Sequence, residues 1–235
     1  MPVFTSLSGE KTMQSKLLIV EGNIGAGKST VCASLSNTLG FRIFEEPVKS
    51  NPYLEDFYKD PHRIAPIMQR WLFEQRLATY KEAVQHIEET GQGVILDRSV
   101  FSDWAFAYQS LVDGFFTEQQ YEEYQTMREV ALRGLPLPTM CIYLDVSPEQ
   151  CLYRITQLRK RECEAGMPIE YLRGLDASHA MLLDDLEKVG IEVLRVDWES
   201  FGDIEPIEKS VQRTPLNTRL WGVDRGRVPR TTLFV

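Results

Sequence analysis

Leu17-Leu18-Ile19-Val20-Glu21-Gly22-Asn23-Ile24-Gly25-Ala26-Gly27-Lys28-Ser29 decides the fold. Four consecutive apolar residues read as a strand buried on both faces, since a strand with one wet face alternates apolar and polar residues. The turn that follows, Gly22 to Ser29, fits the G-x-x-x-x-G-K-[ST] pattern of a phosphate loop between a strand and a helix. Its glycines let successive backbone N–H groups curl inward at phosphate oxygens, aided by the positive end of the next helix. Lys28 can then reach the β- and γ-phosphates of a nucleotide, and Ser29 can ligate Mg²⁺. Nucleotide binding follows from this loop, but the fate of the nucleotide does not, because switches, pumps and kinases share it.

Working outward, further apolar runs at Phe41–Phe44, Val94–Leu96, Met140–Leu144 and Ile191–Val196 each precede turn residues and a helical pattern. The alternation predicts an α/β fold, a five-stranded parallel sheet flanked by helices. Helices are expected over 29–39, 63–89, 99–112, 118–132, 148–163 and 169–189, the first stopped by Gly40. At 235 residues the chain suits one sizeable core. The organisation expected is a tail over 1–15, a catalytic domain over 16–210 and an irregular basic tail over 211–235, with five Arg against one Asp. Met13 is a candidate internal start.

The net charge of −8 argues against a nucleic-acid polymer as partner, because phosphate backbones are held by clustered Lys and Arg. No apolar run approaches bilayer length, so no membrane insertion is expected. Cys32, Cys141, Cys151 and Cys163 lack CxxC spacing and read as reduced thiols. His62, His86 and His179 lack metal-ligand spacing, so no structural zinc is expected. The first 15 residues have neither the apolar core of a secretory signal nor the Arg of a mitochondrial one, which leaves the cytoplasm as the expected compartment.

Three further places bear on chemistry. Glu45-Glu46-Pro47-Val48 follows the second strand, where a parallel sheet presents side chains to its ligand crevice. Glu46 there could accept or orient the proton of an attacking hydroxyl, or be a loop glutamate beside a rigid proline. Asp97-Arg98-Ser99 follows the third strand: Asp97 suits Mg²⁺ and Arg98 can neutralise transferring phosphoryl, the alternative being a structural ion pair. Arg154, Arg159, Lys160 and Arg161 cluster before Gly166 and Pro168 and read as a short basic lid over a triphosphate, or as a solvated helix end.

Together these residues resemble the deoxynucleoside kinase family over about Leu17 to Asp203. The most specific pieces are Glu21-Gly22-Asn23-Ile24, Glu46-Pro47-Val48, Asp97-Arg98-Ser99 and Gly166-Met167-Pro168-Ile169-Glu170-Tyr171. The resemblance implies a P-loop kinase fold and transfer of the ATP γ-phosphoryl group, with Mg²⁺, to the 5′-hydroxyl of a deoxynucleoside. Glu46 would then be the base and Arg98 would stand at the hydroxyl and incoming phosphoryl, with Lys28 as the third catalytic group. Gly22, Asn23, Ile24, Gly25, Ala26, Gly27, Lys28, Ser29 and Thr30 would hold ATP. Arg154 and Phe201 would meet adenine, and Arg159 and Arg161 would close over phosphate. Tyr58 and Glu164 match the family's grip on the sugar 3′-hydroxyl, and Gln69 its contact to the base edge. Arg76 with Asp103 match the pair of members that act on deoxycytidine and deoxypurines rather than thymidine. The family also implies a homodimer and inhibition by an end-product deoxynucleoside triphosphate.

Two other readings compete. A nucleoside monophosphate kinase of the thymidylate type shares the loop and lid but needs a further cation for its acceptor phosphate. A non-catalytic nucleotide-binding protein would have no use for Glu46, Asp97 and Arg98.

Overall fold

In the computed structural model, which describes residues 15–47 and 50–222, every residue of β1 (Leu17–Gly22) is buried. Leu17 and Ile19 enter one hydrophobic cluster, while Leu18 and Val20 enter a second on the opposite face. That two-sided burial is why the run does not alternate. β3 (Val94–Asp97) and β4 (Met140–Asp145) divide their side chains in the same way. With β2 (Arg42–Phe44) and β5 (Glu192–Asp197) they form a parallel sheet in the order β2-β3-β1-β4-β5. Val20 registers with Asp97 of β3, and Gly22 with Leu144 of β4. The phosphate loop and Asp97-Arg98 therefore leave the sheet side by side at its carboxyl edge, the ligand side of open α/β sheets.

Helices cover both faces. α1 (Lys28–Leu39) buries Val31, Cys32 and Leu35 and ends at Gly40 with φ 69°. α2 (Leu54–Lys59) leads into α3 (Pro61–Thr90), which Asp60 caps through the Arg63 amide. α4 (Asp103–Val112) and α5 (Glu118–Leu132) follow β3, and Thr117 with Gln120 forms a capping box that starts α5. α6 (Pro148–Tyr153) follows β4 and α7 (Ile169–Lys188) precedes β5. Among the described residues no helix is long and apolar enough to cross a membrane.

Three expected boundaries move. The helix expected from Ser99 starts at Asp103, because Arg98 adopts φ 69° and turns the chain before the helix begins. The helix expected through Cys163 keeps α geometry only to Tyr153. It widens into a π-helical stretch, Arg154–Arg159, turns at Lys160 with φ 51°, and passes a 3₁₀ turn at Glu162–Glu164. A π-helical stretch of this kind re-aims side chains at a functional edge; here Arg154 reaches the carbonyls of Ala26, Trp198 and Glu199.

The irregular stretch expected from Val211 instead begins inside a helix, α8 (Glu205–Arg213), whose Ile207 and Val211 are buried one turn apart. Lys16 donates to the Val211 carbonyl and so ties this helix to the start of β1. Beyond it Trp221 packs at 5.1 Å from the Phe101 ring, with the Arg128 guanidinium 5.7 Å from its own. The stretch before Ser15, with Met13, Val48 of the Glu46-Pro47-Val48 motif, and the chain after Gly222 lie outside the described residues.

Gly93, just before β3, shows how tightly the sheet edge is filled. A Cβ there would stand 2.6 Å from the Phe41 ring. Phe41 is buried, and the Gly93 carbonyl accepts the Arg42 amide at 3.0 Å, so neither partner has room to retreat. Gly93→Ala is expected to lower the unfolding free energy by about 1–3 kcal/mol, the usual cost of overpacking. A urea titration would show it as a lower midpoint, and an unchanged midpoint would contradict this packing.

Candidate active site

The phosphate loop is held open from beneath. Gly25 has φ 82°, and a Cβ on it would lie 2.7 Å from the Cys151 carbonyl of α6, so sterics and backbone conformation both require glycine. Asn23 donates to the Leu172 carbonyl at 2.8 Å and accepts from the Ile24 amide, and Ala26 gives its carbonyl to Arg154 at 2.8 Å. Lys28 is folded back onto its own loop, with Nζ 3.0 Å from the Asn23 carbonyl and 3.3 Å from that of Gly22. Burial, reinforced by nearby Arg98, lowers its pKa to about 8 despite Glu46 and Asp97 pulling the other way.

Above the loop is a cavity of about 550 Å³. Gly25, Gly27, Lys28, Ser29 and Thr30 of the loop line it together with Arg154, Arg159, Arg161 and Phe201, and Glu46 and Asp97 share the lining. The Arg154 guanidinium lies 4.4 Å from the Phe201 ring centroid while its Nη2 donates to Trp198 and Glu199 carbonyls. Phe201 is exposed and Arg154 buried, so the pair offers a stiff flat wall with one open ring.

Ser29 donates to Asp97 Oδ2 at 2.5 Å, and Asp97 Oδ1 is buried with no hydrogen-bond partner among the described residues. Burial raises the Asp97 pKa, against the pull of Lys28 and Ser29. A hydroxyl and a carboxylate with one unpartnered oxygen beside a phosphate loop are the hard oxygen donors Mg²⁺ takes alongside phosphates and water, so the residues fit that ion.

Beside this edge runs a chain of buried charges. Arg98 Nε lies 3.1 Å from Glu46 Oε1, and Arg76 Nη2 donates to the same oxygen at 2.6 Å. Arg76 Nη1 reaches Asp103 Oδ1 at 2.5 Å, Tyr124 donates to Asp103 Oδ2 at 2.7 Å, and Gln69 donates to the Asp103 carbonyl at 3.0 Å. Burial alone would raise the Glu46 pKa, but Arg98, Arg76 and Lys28 together outweigh it and hold the carboxyl down at about 2. Arg76 keeps its proton all the more firmly between Asp103 and Glu46, whose attraction outweighs the effect of burial. No hydrogen bond reaches Glu46 Oε2 among the described residues.

Glu164 is buried and paired with Arg159 and, at 3.5 Å, with Arg161. Arg159 and Arg161 therefore meet the carboxylate that the family resemblance pairs with Tyr58. Tyr58 stands close enough for Glu164 and Arg159 to act on its hydroxyl, whose pKa burial raises. Glu21 of the loop motif and three residues that belong to no motif, Phe106, Tyr124 and His179, complete the site. Phe106 places its ring 5.3 Å from Arg76 and 4.7 Å from Arg98, and Tyr124 anchors Asp103. Glu21 accepts from Ser99 at 2.6 Å and lies 3.7 Å from Arg98, and His179 lies 3.2 Å from Arg98.

A profile of the deoxynucleoside kinase family matches residues 18–216. Deoxyguanosine kinase of Dictyostelium discoideum is 46% identical over 81% of this chain, and the chain spans 66% of that relative's length. NADH dehydrogenase [ubiquinone] 1 alpha subcomplex subunit 10, mitochondrial, of Bos taurus is 30% identical over 89% of this chain and 67% of its own. Among solved structures, deoxyadenosine kinase from M. mycoides with bound dATP superposes with a TM-score of 0.72 at 27% identity, covering 83% of this chain and 98% of that one.

The charge chain has a signature in acid. Glu46 titrates at about 2 in the folded protein against an ordinary value of 4.5, so its contribution to stability is complete above about pH 4.5 and is lost as pH falls toward 2. Glu46→Gln removes that contribution. Unfolding measured from about pH 5 down to pH 2 is expected to show a shallower acid loss in the variant. Parallel curves would mean that the carboxylate is not held by Arg76 and Arg98.

Proposed function

The chain belongs to the deoxynucleoside kinase family, and from that premise we propose that it transfers the γ-phosphoryl group of ATP to the 5′-hydroxyl of a deoxynucleoside. The observation that carries this reading is Glu46, anionic between Arg76 and Arg98 in the lining of the phosphate-loop cavity. ATP enters with its phosphates on the loop and its base against Arg154 and Phe201, while Lys28 turns from its carbonyls to the β- and γ-oxygens. With a pKa of about 8 its charge is half lost at that pH, so a triphosphate also restores the proton that burial weakens. Ser29 and Asp97 would hold Mg²⁺, which supplies charge neutralisation at the β- and γ-oxygens.

The acceptor hydroxyl donates to Glu46 Oε2. As the 5′-oxygen bonds to the γ-phosphorus, its proton passes to Glu46 and the bond from phosphorus to the ADP oxygen breaks, ADP keeping the electron pair. A carboxylate with a pKa of about 2 is a weak base. It suffices because the transition state is loose and the hydroxyl turns acidic only as the new bond forms, so Glu46 chiefly orients the nucleophile. Arg98 meets the charge on the transferring group.

Gln69, Arg76 and Asp103 read the base. The pair is buried, and stripping either partner would strand the other's charge, which suits a fixed pattern of donors and acceptors facing a deoxypurine or deoxycytidine rather than thymidine. Tyr58 and Glu164 take the sugar, the tyrosine leaving little space for a 2′-hydroxyl. Glu164 would then have to share its carboxylate between the sugar and the lid arginines. Both arginines beside Glu46 already face carboxylates, which favours an uncharged nucleoside over a monophosphate acceptor. The same reading extends to a cytoplasmic homodimer in nucleotide salvage, inhibited by an end-product deoxynucleoside triphosphate.

One relative carries a name other than that of a kinase, so catalysis needs its own test. The purified chain with ATP and Mg²⁺ is expected to phosphorylate deoxyguanosine and deoxyadenosine but not their monophosphates. Glu46→Gln should lower kcat by about 10²–10⁴-fold, the range for removing a positioned acid–base group, while leaving ATP binding intact. Activity on monophosphates alone would establish the thymidylate-type reading, and ATP binding without turnover of any nucleoside would establish a binding protein.

A further inference from the structure

Arg98 sits at a backbone conformation that arginine rarely adopts, φ 69°. A non-glycine residue there persists only when its surroundings over-determine it. Its amide donates to the Val20 carbonyl at 3.0 Å, and Nη2 donates to the Gly22 carbonyl at 3.1 Å. Phe106 covers one face of the guanidinium, and Nε faces Glu46. That leaves Nη1, which has two neighbours: Glu21 Oε2 at 3.7 Å, beyond hydrogen-bond range, and His179 Nε2 at 3.2 Å.

His179 comes from α7, 81 residues along the chain from Arg98. Gly174, five residues earlier, lets α7 lie close against α4: a Cβ on it would run into the Gln109 side-chain amide. The ring is wholly buried, and its Nδ1 is 2.7 Å from the Leu175 carbonyl. A carbonyl can only accept, so Nδ1 carries the hydrogen and Nε2 presents a lone pair to Arg98. Phe106 stands edge-on to the ring at 5.8 Å. Burial first, and then the charge of Arg98, keep the imidazole neutral, with a pKa of about 3.

We propose that His179 is a positioning residue for phosphoryl transfer, its Nε2 accepting from Arg98 Nη1 and fixing the plane of the guanidinium between the phosphate loop and Glu46. The choice of imidazole has a physical reason. Glu46 and Glu21 already offset the charge of Arg98, and a third carboxylate in place of His179 would orient it equally well but leave no positive charge for the transferring group. A neutral acceptor orients without quenching. Leu175 in turn fixes the tautomer, as a second layer of hydrogen bonding does for reactive groups generally. The inference rests on the role given to Arg98 under Proposed function.

Three substitutions test it in the full chain, with ATP and deoxyguanosine as substrates. His179→Asn keeps a donor for the Leu175 carbonyl but is too short to reach Arg98, His179→Gln can place an oxygen near the position of Nε2, and His179→Phe fills the space with no acceptor. Expected are a loss in kcat of about tenfold or more for the Asn and Phe variants, with both KM values within about threefold, and recovery of much of kcat in the Gln variant. Equal activity of the Asn and Gln variants would overturn the proposal, as would a loss expressed as a common rise in KM. Should His179→Phe fail to fold, the Asn and Gln pair decides alone. Arg98→Lys is measured alongside. If it keeps full kcat, the role of Arg98 is wrong and the reading beneath this one falls. If it is crippled while the His179 variants are not, only the role of His179 falls.

Discussion

The site depends on one buried guanidinium. Arg98 bonds the carbonyl of Gly22 at the start of the phosphate loop and faces the carboxylate of Glu46, so a single rigid group spans the gap between the loop and that carboxylate. Arg98 could not occupy this place as an isolated charge, because removing it from water would cost several kcal/mol. Glu46 and Glu21 compensate it, and those carboxylates are in turn held by Arg76 and Ser99. The array is therefore cooperative: each charge is tolerable because its neighbour is present.

The sheet makes this array possible. Parallel pairing of β1 with β3 brings Asp97 level with Val20, so that Arg98 emerges next to the first residues of the loop. The lid belongs to the same system through Glu164, which ties Arg159 and Arg161 down at the cavity's edge. Arg159 and Arg161 are thus held by a buried carboxylate, and Lys28 is held by the loop's own carbonyls. Both sets of cations have partners that a ligand must replace, which keeps an otherwise repulsive cluster stable.

Much of this was legible in the sequence because the deciding signals are local. The unalternating runs of β1, β3 and β4 mark strands covered on both faces, and the loop between β1 and α1 carries its chemistry in consecutive residues. Glu46 and Asp97 could be found because both stand at strand carboxyl ends, Asp97 as the last residue of β3 and Glu46 two residues beyond β2. α8 was missed: a helix that buries only Ile207 and Val211 and is otherwise charged looks like a solvated stretch. His179 carried no signal beyond its lack of metal-ligand spacing; it lies in the buried stripe of α7 with Leu175, Leu182 and Leu186. Nothing in that periodicity says which group its Nε2 faces. The left-handed turn at Arg98 is equally silent, because arginine has no preference for it. The widening of α6 after Tyr153 follows from where Arg154 finds its carbonyls, on two segments distant in the chain.

The unity of Arg98 and Glu46 is open to one direct measurement, a double-mutant cycle on kcat with Arg98→Lys and Glu46→Gln in the presence of saturating ATP and deoxynucleoside. If the two side chains act as one device, the double variant should be scarcely slower than the worse single variant, with a coupling energy of about 1 kcal/mol or more. Losses that multiply independently would contradict a site built around that contact.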